Sequence, residues 1–218
     1  MIRIAIQGVE GCFHEEAARG YFMGEAVDSV ECGTFEELFE RVAIDKSLCG
    51  IVAIENTIAG SLLQNHELLR QSDLVVVGEY KLRISHVLCA LPEDSMESIR
   101  EVHSHPIALM QCGEFLKRHP SFKVVERDDT AGSAREIAER GLRGHAAICS
   151  AWAAHRYGLE ILAEGIETNK HNFTRFLVVA HADTQAAMQT LQPDKASLAF
   201  SLQLARFAVE SVDDSIVL

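Results

Sequence analysis

The feature that most constrains this chain is a rhythm: short β-type runs alternate with helical patterns over most of its 218 residues. Ile2–Gln7, residues 50–55 (GIVAIE) and residues 176–180 (FLVVA) read as buried strands. Helical spacing covers residues 13–22, 62–71, 107–118, 131–140 and 151–157. Thr34-Phe35-Glu36-Glu37 is a capping box that opens a further helix to about residue 45. Further strands are expected at 101–104, 123–126 and 145–149. Strands alternating with helices predict an α/β protein with parallel-rich sheets covered on both faces. The rhythm breaks once, where two β-like runs, 74–82 and 85–91, follow each other without a helix. That break is a natural crossing from one lobe to another. After residue 180 a polar, alanine-rich connector spans 182–191, and a new β-run follows at 196–202.

Composition narrows the function. At 48% hydrophobic residues the chain can build a real core. A net charge of −12 argues against nucleic acid and anionic membrane partners. No stretch approaches the ~20 apolar residues of a spanning helix, and the first residues read as a strand rather than an export signal. The six cysteines are scattered singly with no CxxC pair, as expected of reduced thiols in a cytoplasmic protein. GxxxxGK[ST], GxGxxG and GxSxG are all absent.

In open α/β sheets ligands bind beyond the carboxyl ends of strands, so the residues after each run are the candidates. Gly8 and Gly11 follow the first strand and allow a sharp turn or a close approach to a ligand. Glu55-Asn56-Thr57 follows GIVAI, where a capping loop is the structural alternative. Ser104-His105-Pro106 opens a helix carrying Gln111, with ordinary capping as the alternative. His103 and His105 resemble a metal pair, but no third ligand has fitting spacing, so no metal is expected. Asp128-Asp129-Thr130 with Ser133 forms an acidic, hydroxyl-bearing helix start. Thr174 and Arg175 sit between Phe173 and Phe176 at the mouth of the last strong strand. Arg offers a fork of donors for carboxylate, and Thr a hydroxyl that can donate to a leaving oxygen. These groups suit a small anionic ligand held between two lobes.

Five segments, in order, resemble those of the prephenate dehydratase family. They are Gly8-x-x-Gly11 with Glu16-Ala17-Ala18, Ile54-Glu55-Asn56-Thr57 with Gly60, His103-Ser104-His105-Pro106 with Gln111-Cys112, Asp129-Thr130-Ala131, and Asn172-Phe173-Thr174-Arg175-Phe176. Ala53, Ile107 and His14 depart from the residues usual in the family. The resemblance implies a two-lobed fold similar to type II periplasmic binding proteins, with the active site in the cleft. Residues 1–181 would be the catalytic domain, lobe one being 1–78 plus 174–181 and lobe two 79–173, with a hinge near 78–82 and 172–178.

The implied activity is a carbon–oxygen lyase that converts prephenate to phenylpyruvate, water and carbon dioxide, without cofactor or metal. Thr174 would donate to the leaving hydroxyl, and Glu55 would orient it or relay a proton. Arg175 would clamp a carboxylate or brace the cleft. Ser104, Gln111 and Asn56 would anchor the substrate, with Thr57, Thr130, Ser133 and Phe176 lining it. Arogenate dehydratase and a non-catalytic small-anion-binding protein of the same fold are the alternative readings. Residues 182–218 would be a linker and part of an ACT domain: residues 195–202 resemble its first strand, and the elements of its phenylalanine site are absent. Inhibition by phenylalanine is therefore not expected. The resemblance implies a homodimer or homotetramer.

Overall fold

The computed structural model describes residues 1–187. The expected ACT-like segment at 195–202, and the end of the connector before it, lie outside the described residues. From the N-terminus come β1 (Ile2–Gln7), α1 (Phe13–Tyr21), β2 (Val27–Cys32), α2 (Phe35–Ile44), β3 (Leu48–Asn56), β4 (Gly60–Ser61), α3 (Leu63–Gln71) and β5 (Leu74–Arg83). The chain then builds β6 (Val87–Ala90), β7 (Glu101–Ser104), α4 (Pro106–Gln111), α5 (Gly113–Lys117), β8 (Lys123–Glu126), α6 (Thr130–Arg140), β9 (His145–Cys149), α7 (Ala151–Arg156) and β10 (Glu160–Ala163). It returns as β11 (Phe173–His181) and α8 (Ala182–Ala187).

Two sheets result, ordered β2-β1-β3-β11-β5, with β4 beside β3, and β10-β6-β9-β7-β8. Each has a parallel nucleus: β1 with β2 and β3 in the first, β7 with β8 and β9 in the second. Strands that cross between lobes run antiparallel to their neighbours, as β11 does to β3 and β5 and β6 does to β9. β5 stays paired with β11 as far as Arg83↔Phe173. The chain therefore leaves the first sheet after Arg83, beyond the switch expected at residue 78, and rejoins it at Phe173.

Three strands were not expected: the two-residue β4 and the sheet-edge strands β2 and β10. In β2 the exposed Asp28 and Glu31 interrupt the apolar run, and β10 is only four residues long. The single helix expected over 107–118 is two. Between α4 and α5 the loop ahead of β11 inserts: Thr168 N–H donates to the Gln111 carbonyl at 2.8 Å, and Glu114 N–H donates to Thr168 Oγ1 at 3.3 Å. Those two groups would otherwise continue the helical ladder.

The apolar residues form three clusters. One lies under α2 and includes Leu38, Val42, Val52, Leu177 and Val179. A second lies under α4 and α5 with Leu88, Val102, Phe115 and Ile148. The third runs from one lobe into the other, joining Ile4, Ile6, Ala18 and Phe176 to Cys89, Ala131, Ile137 and Ala153. Thr34 Oγ1 accepts the Glu37 N–H at 3.1 Å and caps α2 as expected, while Glu37 Oε2 takes the N–H of Gly33. No helix of the described residues is long and apolar enough to cross a membrane.

Gly50 in β3 sets how closely α2 can pack. A Cβ there would lie 2.8 Å from Leu38 Cδ2 and 3.0 Å from Val179 Cγ2. Gly50→Ala is expected to cost about 1–3 kcal/mol by overpacking, measured by denaturant unfolding. His14 supplies a pH dependence. Its Nε2 is shut off from solvent without a partner, its ring meets Phe35 and Phe176 edge-on, and burial pushes its pKa down to about 4. Between pH 6.5 and 4 the unfolded chain binds this proton and the folded chain does not, so stability should fall as pH drops through that window. Unfolding curves at stepped pH should show a shallower decline in His14→Asn.

Candidate functional site

The site is built outward from Asn56, the last residue of β3. Its side-chain carbonyl accepts the N–H groups of Ile58 and Ala59, both at 2.9 Å, an Asx turn that shapes the strand tip. Those two donors also fix which end of the side chain is the amide. The amide nitrogen then faces Asn172 Oδ1 at 2.8 Å, Thr174 Oγ1 at 2.9 Å and the Phe173 carbonyl at 3.3 Å. Asn56 and Thr174 are partners in register across β3 and β11, which is why the two side chains meet. Thr174 Oγ1 thus accepts from Asn56, and among the described residues it donates to nothing. It is 8% exposed.

From Asn172 the network crosses to the second lobe. Asn172 Nδ2 donates to Gln111 Oε1 at 3.1 Å, and the same oxygen lies 3.0 Å from His86 Nε2. Gln111 is held in place by the break between α4 and α5, where its own carbonyl is bonded by Thr168. Burial holds the His86 pKa below its ordinary value, which keeps the ring neutral, and Nδ1 is shut off from solvent without a partner. Phe13 meets the His86 ring edge-on at 5.4 Å. The His86 backbone N–H donates to Glu167 Oε2 at 2.9 Å. Burial would raise the Glu167 pKa, but this amide and Lys170 outweigh it and keep the carboxylate ionised.

The glycine turn after β1 is a second bridge between lobes. Val9 N–H donates to Asp129 Oδ2 at 3.3 Å, and Ser150 Oγ donates to the Gly11 carbonyl at 3.0 Å. Gly11 has φ +93°, and a Cβ on it would sit 3.1 Å from Ala153 Cα, so only glycine suits this contact. Glu15 gathers the Gly11 N–H, the Nε and Nη2 donors of Arg19 and the Trp152 indole N–H. Burial would raise the Glu15 pKa, but these four donors bring it below the ordinary carboxylate value.

The structure brings together Asn56, Thr174 and Gln111 from the expected residues, and separates the others. β11 alternates: Phe176 and Val178 belong to the cluster between the lobes, Leu177 and Val179 to the cluster under α2. Thr174 therefore shares the face of Phe176, and Arg175 points the other way. Arg175 is engaged by Glu79 at 2.7 Å. Glu55 lies opposite Arg175 in register, on that same far face and exposed, so it does not reach Thr174 to orient it or relay a proton. Thr57 ties strand ends, donating to the His171 carbonyl and accepting Phe173 N–H, both at 2.9 Å. Ser104 is buried and donates to the Ile148 carbonyl at 2.6 Å. Ser133 donates to the Asp129 carbonyl, and Thr130 begins α6 beneath the Asp129 cap. No hydrogen bond links these three to Thr174 among the described residues. Asn172 and His86 were not expected in the site. Asn172 opens the Asn-x-Thr-Arg-Phe segment, which could have signalled it; His86, inside an apolar run, gave no signal.

Comparisons with known proteins identify the family. The family model described as prephenate dehydratase matches residues 4–184. Arogenate dehydratase/prephenate dehydratase 2 of Arabidopsis thaliana is 39% identical over 203 residues, covering 93% of this chain and 52% of the relative. A prephenate dehydratase from Arthrobacter aurescens, solved with L-Phe, is similar at 27% identity and TM-score 0.75, over 83% of this chain and 60% of that one. A structure described as GqqA, a novel type of quorum quenching acylase, is similar at 32% identity and TM-score 0.74, over 82% of this chain and 64% of that one. The chain spans about half the length of the curated relatives it matches. With the matched region covering most of its residues, the chain belongs to the prephenate dehydratase family.

Proposed function

We propose that this chain converts prephenate to phenylpyruvate, water and carbon dioxide, with arogenate as the alternative substrate. Support comes first from the Thr174 hydroxyl, which is fixed by the Asn56 amide while its own proton stays free. In the reaction a carbon–carbon bond to one carboxylate breaks, and its electron pair enters the ring. The ring carbon–oxygen bond breaks, and the oxygen leaves as water after taking a proton. Because decarboxylation supplies the electrons, no strong base is required. A donor at the departing oxygen is what helps, and an N–H bond received by Thr174 polarises its own O–H toward donation. A nucleophilic hydroxyl would instead need a base to accept its proton. Thr174 faces an amide donor, which favours the dehydratase reading over an acylase one.

Asn172, Gln111 and His86 are positioning residues in this reading, since they hold Asn56 and relate the two lobes. The unit that performs the chemistry is residues 1–181, divided where the chain passes between the two sheets. Closure of the lobes over the substrate would exclude water and strengthen each contact.

The test is turnover by the purified chain, reading phenylpyruvate from prephenate and phenylalanine from arogenate. Absence of both products from folded protein would reject the proposal. Thr174→Val should lower kcat on the order of 100-fold or more, with Thr174→Ser keeping most activity. Equal rates for Thr174→Val and wild type would remove the donor role. Arg175→Ala should leave kcat within about 10-fold, since its side chain points away from Thr174.

A further inference from the structure

Away from the candidate site, at the opposite end of the second sheet, three potential ligands converge. Glu101 is the first residue of β7 and His145 the first of β9, and the two are partners in register. His103 lies two residues along β7 and so shares their face. His103 Nε2 is 3.1 Å from His145 Nδ1 and 3.2 Å from Glu101 Oε2, and His145 Nδ1 is 3.7 Å from the same oxygen. Among the described residues this is the one group of three such side chains so placed. The sequence hid it: His103 draws the eye to His105, but His105 leaves the strand and caps α4 through Nδ1. The missing ligand comes from another strand.

From this triangle we infer a binding site for a divalent transition metal ion of the zinc class, held by Glu101, His103 and His145. Zinc bonds to imidazole nitrogen and carboxylate oxygen are about 2.0–2.2 Å, which separates ligand atoms by about 3.3 Å around a tetrahedral ion. The three observed separations bracket that value. Without a metal no placement of protons serves all three pairs: the nitrogen–nitrogen contact needs one proton between the two rings, whereas the two contacts to the carboxylate oxygen need one on each. Lys123 bonds Glu101 Oε1 at 2.8 Å and leaves Oε2 turned to the histidines. Lys123 and its partly exposed neighbours leave an approach path: the side chains of Glu101 and His145 are 26% and 29% exposed. Two imidazoles and one carboxylate leave a fourth position for water.

The site is structural in effect, since it fastens the starting residues of two neighbouring strands of the second sheet, whereas Thr174 lies in the first. The experiment uses the full chain, stripped with a chelator and titrated with Zn²⁺ by calorimetry and thermal unfolding. One Zn²⁺ per chain should bind, and the melting temperature should rise with its concentration by mass action. Glu101→Gln and His145→Ala, both at partly exposed positions, should each weaken binding at least tenfold and remove the thermal shift. His105→Ala should keep both. With Co²⁺, the absorption should show nitrogen and oxygen ligation without a thiolate charge-transfer band. No Zn²⁺ uptake by folded wild type, uptake unchanged in His145→Ala, or a thiolate band that survives in that variant would each overturn the assignment.

Discussion

The Asn56 side chain is the interaction on which the rest of the site depends. One end ties down the tip of β3 through two backbone N–H groups; the other reaches Thr174 and Asn172. Its neighbour Asn172 continues to Gln111 and so to the second lobe. A neutral amide suits this position because it both accepts and donates without bringing charge into a nearly closed site. A carboxylate in its place would lose every donor bond and compete for the Thr174 proton. The chemistry of the hydroxyl is therefore set by a residue that does no chemistry itself.

Much of this was legible from sequence, for reasons that can be stated. Strands β1, β3 and β11 are buried in the middle of their sheet and show as near-continuous apolar runs. Helix α2 announces itself through Thr34, and Gly8 and Gly11 mark a turn that does adopt positive φ. Edge strand β2 was missed because the exposed Asp28 and Glu31 break its pattern, and β10 because it is only four residues long. The break between α4 and α5 was missed because its cause, Thr168, lies 54 residues from Glu114. A local pattern carries no trace of a loop that arrives from so far along the chain.

The site shows the same division. Asn56, Gln111 and Thr174 could be named from strand-end position and from likeness to a family. Which neighbours act with them could not, because adjacency in sequence is opposition in a strand. Thr174 and Arg175 are consecutive, and the pleat sends them to different faces. Arg175 meets Glu79 over the cluster under α2, and Glu55 shares that side. His86 was invisible because its role comes from burial against Phe13 and from the reach of Gln111.

The passage of the chain between the two sheets has a mechanical consequence. The outgoing and returning segments lie side by side: Arg83 pairs with Phe173, and Ile84 N–H donates to the Asn172 carbonyl at 2.8 Å. A paired ribbon bends more readily than it shears, so a rotation of one lobe on the other would turn about this double strand. Asn172, Thr174 and Asn56 sit beside it. With Thr174 as the donor proposed above, the reacting hydroxyl stands beside the pivot of a jaw rather than on its teeth.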